Sequence, residues 1–302
     1  MKKVFTSIAA IWFASVSICL AQQDPIYAQY LNNPYTLNPA YAGSNNMLNS
    51  QLQYRLQWAG LAGNPVTANF NVHSSIYQNK MGLGLQVIQD QIGENKNTEV
   101  NVAYAYKVEL SEATLSFGLQ AGFINYTNNI NELNIQNPSD PLFFNYSEMQ
   151  FNTGAGMMLL SDRYVVGLSA PRLLPATVSQ GGETIDVYTQ NYYLFGSYKF
   201  FISDKISFRP ATLLKYSGGN PLSVDLNANF SYLNTWNAGL FTRNLNTYGL
   251  LVSMTVNNFR FGYVLELPTN QSVGVNYTSH EFMIGLKLKA FTFHDPLRVS
   301  SY

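Results

Sequence analysis

Apolar and polar residues alternate one by one along most of this chain. Between Val100 and Leu110, the residues Val100, Val102, Tyr104, Tyr106, Val108 and Leu110 hold every second position, with Asn101, Ala103, Ala105, Lys107 and Glu109 between them. Successive side chains of a strand point to opposite faces, so this run predicts a strand with one apolar face and one polar or small face. Leu52, Tyr54, Leu56 and Trp58 alternate in the same way with Gln51, Gln53, Arg55 and Gln57, and the pattern returns over 222–232 and 259–267. No long segment carries the roughly 3.6-residue period of a helix.

The alternation predicts strands near 49–58, 65–74, 80–90, 97–110, 113–126, 149–160 and 163–170, then near 188–202, 205–216, 221–232, 234–244, 246–256, 258–268 and 280–290. That is about 14 strands, most of about ten residues, the length a tilted strand needs to cross a bilayer core. Connections after even-numbered strands are short: 75–79, around Glu112, 161–162, 203–204, Leu233 and Asn257. Those after odd-numbered strands are often longer, at 59–64, 91–96, 127–148, 171–187 and 269–279, although 217–220 and Leu245 are short. Short turns at one end and long loops at the other mark outer-membrane barrels, whose strand number is even and whose long loops face outward from the cell. The predicted fold class is therefore an all-β, antiparallel, transmembrane outer-membrane β-barrel with an irregular N-terminal segment. A soluble β-sandwich also alternates, with the apolar face inward. Pro210, within a strand, predicts a bulge because it cannot donate to the ladder.

Composition favours the membrane reading. Charged residues are 11% of the 302 and aromatics 14%, with 21 Tyr and 19 Phe; soluble domains usually carry about 25% charge. A net charge of zero does not suit nucleic-acid binding, which needs a basic excess to neutralise phosphates. Lys2 and Lys3, an apolar run over 4–20 and small residues at Cys19 and Ala21 read as a secretory signal peptide, residues 1–21, cleaved before Gln22. A membrane-anchoring helix or lipidation at Cys19 are the alternatives. Cleavage would remove the single Cys and two lysines, leaving 15 basic against 17 acidic residues. The mature chain then divides into an irregular periplasmic segment or plug at 22–48, a transmembrane barrel at 49–291 and a tail at 292–302. The irregular segment is expected to pack against or into the periplasmic mouth.

Candidate chemistry is sparse. The histidines are His73, His280 and His294. His280 and Glu281 are neighbours in a strand and so point to opposite faces, which does not make an acid–base pair. No H-E-x-x-H, paired Cys or phosphate loop occurs. Residues 137–141 offer oxygen ligands without the ordered acidic spacing of a calcium loop. A triad assembled by the fold alone is the remaining enzymatic alternative. Gly181-Gly182 reads as a turn, and Gly154 and Gly156 as room for neighbouring side chains. No catalytic residue, cofactor or metal is expected. Arg55, Lys107, Glu109, Arg209, Lys215, Asp225, Arg243, Arg260 and Glu266 fall on the polar face, where they would fill and hydrate a lumen, or else hold a plug or dock a partner.

The irregular segment carries a long motif. Asp24, Pro25, Gln29 and Tyr30 stand in D-P-I-Y-A-Q-Y, followed by Asn33-Pro34 and by L-N-P-A-Y-A-G with Asn38, Pro39, Ala40, Tyr41 and Gly43. This resembles the opening motif of the PorP/SprF family. Gln57-Trp58 with the turn from Gly60 to Pro65, Gly82, Gly84 and Ser279-His280-Glu281 are similar to the family as well. The resemblance implies an outer-membrane component of the type IX secretion system, linked to protein secretion and gliding motility in Bacteroidetes-type bacteria. It would support secretion or surface anchoring of cargo adhesins through their C-terminal sorting domain. Implied partners are outer-membrane lipid, that cargo, and periplasmic ring or motor components. Phe143, Phe144, Tyr146 and Tyr188, in or beside the long loops, are the expected cargo anchors, since interface cores are rich in Tyr and Phe. The alternative function is an outer-membrane porin or hydrophobic-solute transporter.

Overall fold

The computed structural model describes residues 27–129, 145–180, 183–188, 190–218, 220–269 and 277–289. Three short 3-10 turns come first: η1 (Ala28–Leu31), η2 (Pro34–Thr36) and η3 (Pro39–Tyr41). The strands β1 (Leu48–Leu56), β2 (Val66–Ile76), β3 (Met81–Ile92), β4 (Asn95–Glu109), β5 (Thr114–Asn128), β6 (Tyr146–Leu160) and β7 (Tyr164–Arg172) follow. A small pair, β8 (Ala176–Gln180) and β9 (Glu183–Tyr188), precedes β10 (Asn191–Tyr198), β11 (Phe200–Phe201) and β12 (Ile206–Ser217). The last are β13 (Ser223–Tyr232), β14 (Trp236–Arg243), β15 (Thr247–Val256), β16 (Phe259–Pro268) and β17 (Ser279–Leu288).

All of these strands except β8, β9 and β11 form one closed 14-strand antiparallel barrel. β1 closes on β17, with Leu48 opposite Leu288 and Leu56 opposite His280, and β10 lies between β7 and β12. Closure leaves no edge, which matters in hydrocarbon because each unbonded backbone group there costs several kcal/mol. The apolar positions point out: Leu52, Tyr54, Val102, Tyr104, Leu119, Phe230 and Phe282 are exposed. Their neighbours Gln53, Asn101, Lys107, Asn229 and Glu281 are buried in the lumen. This orientation excludes the β-sandwich, whose apolar face would turn inward.

Four details differ from the sequence expectation. The 171–187 connection contains the β8–β9 hairpin, a two-stranded sheet of its own. The strand expected over 188–202 is split, because β10 ends at Tyr198 and β11 begins at Phe200. Pro210 makes no bulge: it pairs with Ala228 in unbroken register with β13, and it lies where the ladder to β10 and β11 is interrupted. Its missing N–H is thus spent on one side of the strand only. Glu109, expected among the lumen charges, is exposed at the short-turn end of β4. The short turns rely on residues that tolerate a left-handed backbone: Asn234, Asn244 and Asn257 have φ of 52°, 52° and 53°.

Candidate functional site

Residues 27–47 run through the lumen. They contain no Asp, Glu, Lys or Arg, so they can be enclosed without ion pairing. Two Asn-Pro pairs shape them. At each, the Asn side chain caps the following turn and Pro sits in its first turn, where its fixed φ is suited and no N–H is wanted. Asn33 Oδ1 accepts from Tyr35 N at 3.3 Å, and Asn38 Oδ1 accepts from Ala40 N at 2.9 Å. Asn38 Nδ2 also donates to the carbonyls of Met157 and Leu168, at 3.1 and 3.2 Å. One side chain therefore caps η3 and ties it to β6 and β7.

The amino end of this plug lies in the long-loop half. Tyr27 lines a cavity with Asp90, Glu99 and Arg172. The Ala28 and Gln29 N–H groups donate to Glu281 at 2.9 and 3.2 Å. The chain then descends through Tyr30, whose hydroxyl accepts from Asn227 Nδ2 at 2.5 Å, to Gly43 at the short-turn end. There the Gly43 N–H donates to His73 Nδ1 at 3.1 Å, and Lys107 Nζ donates to the Gly43 carbonyl. The His73 ring packs against Tyr35 and Tyr41, with centroids 5.1 and 5.6 Å apart. Short turns leave unpaired N–H groups at their start and carbonyls at their end. The lumen supplies a carboxylate at the first and an ammonium at the second. The segment expected at the periplasmic mouth thus reaches from one half of the barrel into the other.

Space for the plug comes from small residues on the inner wall. A side chain at Gly82 would strike the Ala42 carbonyl, one at Gly118 the backbone of Pro39 and Ala40, and one at Gly156 the Asn38 amide. Gly156 therefore does make room, but for the plug rather than for a strand neighbour. Tyr30, Tyr35, Leu37, Ala40 and Tyr41 form an apolar core with Ala103, Ala105, Met158, Val165, Phe195 and Leu213 of the wall. Burial raises the phenol pKa of Tyr27, Tyr30, Tyr35 and Tyr41 above its ordinary range, so the plug stays uncharged. Gly43, at φ +63°, lets the chain leave η3 for β1.

The lumen charges form a network. Arg55 donates to Glu266 at 2.6 and 3.0 Å and reaches Glu281 at 3.4 Å. Arg243 makes a bidentate contact with Asp225 and lies 3.7 Å from Glu266. Arg172 pairs with Glu99. Breaking such a buried pair leaves a lone charge and costs about 3–5 kcal/mol. Through Glu281 this network holds the plug directly, which the sequence did not reveal: Glu281 was read only as the strand neighbour of His280, pointing to the opposite face. His280 does face the other way, bonded to the Tyr263 hydroxyl at 2.8 Å and the Thr278 hydroxyl at 2.9 Å.

Of the expected cargo anchors, Tyr146 opens β6 at the long-loop end, where its hydroxyl donates to Asn95 Oδ1 at 3.2 Å and its ring packs on Ile124 and Tyr126. Tyr188 is the last residue of β9. Phe143, Phe144, Asp24, Pro25, the signal-peptide segment, the C-terminal tail, 137–141 and Gly181-Gly182 lie outside the described residues.

A family model for the type IX secretion system membrane protein PorP/SprF matches residues 19–286. No curated protein matches the chain. Among solved structures, a TodX deltaS2S3 mutant monoaromatic hydrocarbon channel is similar, with a TM-score of 0.50 and 10% identity, over 87% of this chain and 94% of that one. The CymD monoaromatic hydrocarbon channel gives 0.48 and 12%, over 87% and 92% of the two chains. Acinetobacter baumannii outer membrane protein Omp33 gives 0.45 and 6%, over 81% and 99%. At such identities the TodX likeness shows the barrel fold alone.

Proposed function

Because the chain belongs to the PorP/SprF family of type IX secretion system membrane proteins, we propose that it is a plugged, non-enzymatic outer-membrane barrel serving secretion and surface anchoring of cargo through the cargo's C-terminal sorting domain. The observation that carries this reading is the occupied lumen. Residues 27–47 are fastened at one end by Glu281 and at the other by Lys107. Cavities beside them measure about 30, 40 and 70 Å³, room for a few waters each rather than a path for solute. A barrel of this strand number would otherwise leave a lumen wider than side chains fill.

In this reading the long loops, with the β8–β9 hairpin, meet cargo outside the cell, and Phe143, Phe144, Tyr146 and Tyr188 are its anchors. The short-turn end faces the periplasm and the ring or motor components. The plug keeps the membrane sealed while cargo is handled at the surface.

The test is deletion of the gene, with surface and secreted proteins compared by mass spectrometry. Loss of one or two large adhesins identifies a cargo-dedicated component, and loss of all type IX substrates a core component. An unchanged secretome, together with steady channels from the purified protein in planar bilayers, would overturn the reading in favour of a porin.

A further inference from the structure

A hollow of about 660 Å³ opens on the outer wall at the short-turn end, in the face that meets lipid. Barrel register sets two rows of outward side chains around it. Phe230, Ala238, Val252 and Tyr263 lie side by side across β13, β14, β15 and β16. Tyr232, Trp236, Met254 and Phe261 form the next row, one step nearer the turns. All of these side chains are large except Ala238, which carries a single methyl. The notch is therefore the space that a large residue at position 238 would fill. The inward-facing neighbours Ser231, Asn237 and Ser253 form its floor. Tyr232 and Trp236 flank the short turn 233–235 and are half-exposed, the placement by which aromatic girdles mark the headgroup level. The hollow thus runs from that level into the hydrocarbon.

Its size falls within the range of about 300–1,000 Å³ found for small-molecule sites. In a bilayer no water is displaced when apolar groups meet, so packing decides what occupies such a hollow. A lipid chain that crosses the notch without entering it forfeits dispersion contacts with the wall. An unbranched, flexible acyl chain can enter it, whereas the convex wall of a second barrel cannot follow its shape. The rim offers no single sign of charge. The Leu233 N–H donates to the Lys205 carbonyl at 2.7 Å, which sets the turn before β12 beside the groove, and both Asp204 and Lys205 stand exposed in that turn. Lys199 is already engaged by Asn234 and the Phe201 ring. We propose that the notch at Ala238 seats one acyl chain of a membrane phospholipid, recognised by shape and without regard to headgroup. The occupant follows from continuity, since the groove is part of the wall that lipid already covers. It is a local preference on a face otherwise tolerant of any apolar residue, and it does not depend on the secretion reading.

The experiment places the purified full-length barrel in phosphatidylcholine vesicles that hold a trace of phosphatidylcholine with a photoactivatable diazirine acyl chain. After illumination, lipid adducts are mapped by peptide mass spectrometry. Labelling of 230–238 and 252–263 is expected to exceed that of the outward residues Phe117, Leu119 and Phe123 of β5 by about fivefold, a modest ratio because the gain is packing alone. Ala238→Phe fills the notch and should remove the excess while β5 labelling stays the same. Leu119→Phe, on another part of the wall, should leave the excess unchanged. Folding of both variants is checked by the gel shift between heated and unheated barrel. The same labelled chain carried on phosphatidylglycerol should give the same excess. Even labelling around the wall, or an excess that persists in folded Ala238→Phe, would overturn the proposal. An excess confined to phosphatidylglycerol would overturn it in favour of headgroup recognition at Lys205. An excess reached only with a labelled free fatty acid would reassign the groove to a soluble apolar ligand, and barrel-to-barrel cross-links through 230–263 would reassign it to a second copy.

Discussion

The outer and inner faces of the barrel wall are built from the same strands, yet they obey different rules. On the outer face, Leu, Val, Tyr and Phe follow one another with little regard for which is which, because lipid requires only that the surface be apolar. On the inner face, individual residues have individual partners. Gly118 receives the backbone of Pro39 and Ala40, Glu281 receives two N–H groups, and Lys107 holds the Gly43 carbonyl. The outer face is tolerant and sets where the protein resides. The inner face is specific and sets what the lumen contains. Substitutions on the two faces should therefore fail in different ways.

The largest effect is expected inside, from Glu281→Ala. It removes the acceptor for Ala28 and Gln29 and a partner of Arg55, at a cost of about 3–5 kcal/mol. The amino end of the plug should come loose while the barrel still closes, since β17 keeps its ladder to β1 and β16. Single-channel recording should show openings absent from the wild type, and Glu281→Gln, which retains an acceptor, should show fewer. A silent Glu281→Ala barrel would mean that the plug is held by its apolar core alone.

Leu119→Arg sharpens the contrast from the other side. Leu119 is 64% exposed near the middle of β5, so a charge there meets hydrocarbon at a cost of about 2–4 kcal/mol. Urea unfolding from lipid vesicles should shift by that amount with no change in conductance. Gly118→Val, the preceding residue, reverses the pattern. The added side chain enters the plug's seat, and overpacking of this kind costs about 1–3 kcal/mol. Conductance and protease sensitivity of residues 27–47 should rise while the outer wall is unaffected.

The same contrast explains what the sequence disclosed. All 14 barrel strands, their alternation and the turn asymmetry were legible, because the lipid face imposes one rule over about ten residues at a time. The plug's two Asn-Pro turns were visible as a motif, and Gly156 as a space-maker, but their meeting was not: Asn38 and Met157 are 119 residues apart in the chain. Arg55 and Glu266 are 211 apart. Pairing across a lumen depends on barrel register and closure, which local pattern does not encode. Glu281 was read only as pointing away from His280 and was not counted among the lumen charges. The bulge expected at Pro210 did not form for a related reason, since a missing N–H affects only the strand that would have received it.

That neighbouring pair supplies the smallest and most discriminating prediction. His280 and Glu281 adjoin in sequence, and one faces the outer wall while the other is fully enclosed. His280→Ala gives up bonds to the Tyr263 and Thr278 hydroxyls, each worth about 0.5–1.5 kcal/mol and partly replaceable by interfacial water. Stability should fall by about 1 kcal/mol or less, with conductance and cargo display at wild-type levels, one residue away from the substitution expected to be the most disruptive. Cargo display measured on intact cells decides the matter. A folded His280→Ala barrel that lost display would show that the outer face also carries specific function near the long loops, and it would return the histidine to consideration as a chemical group.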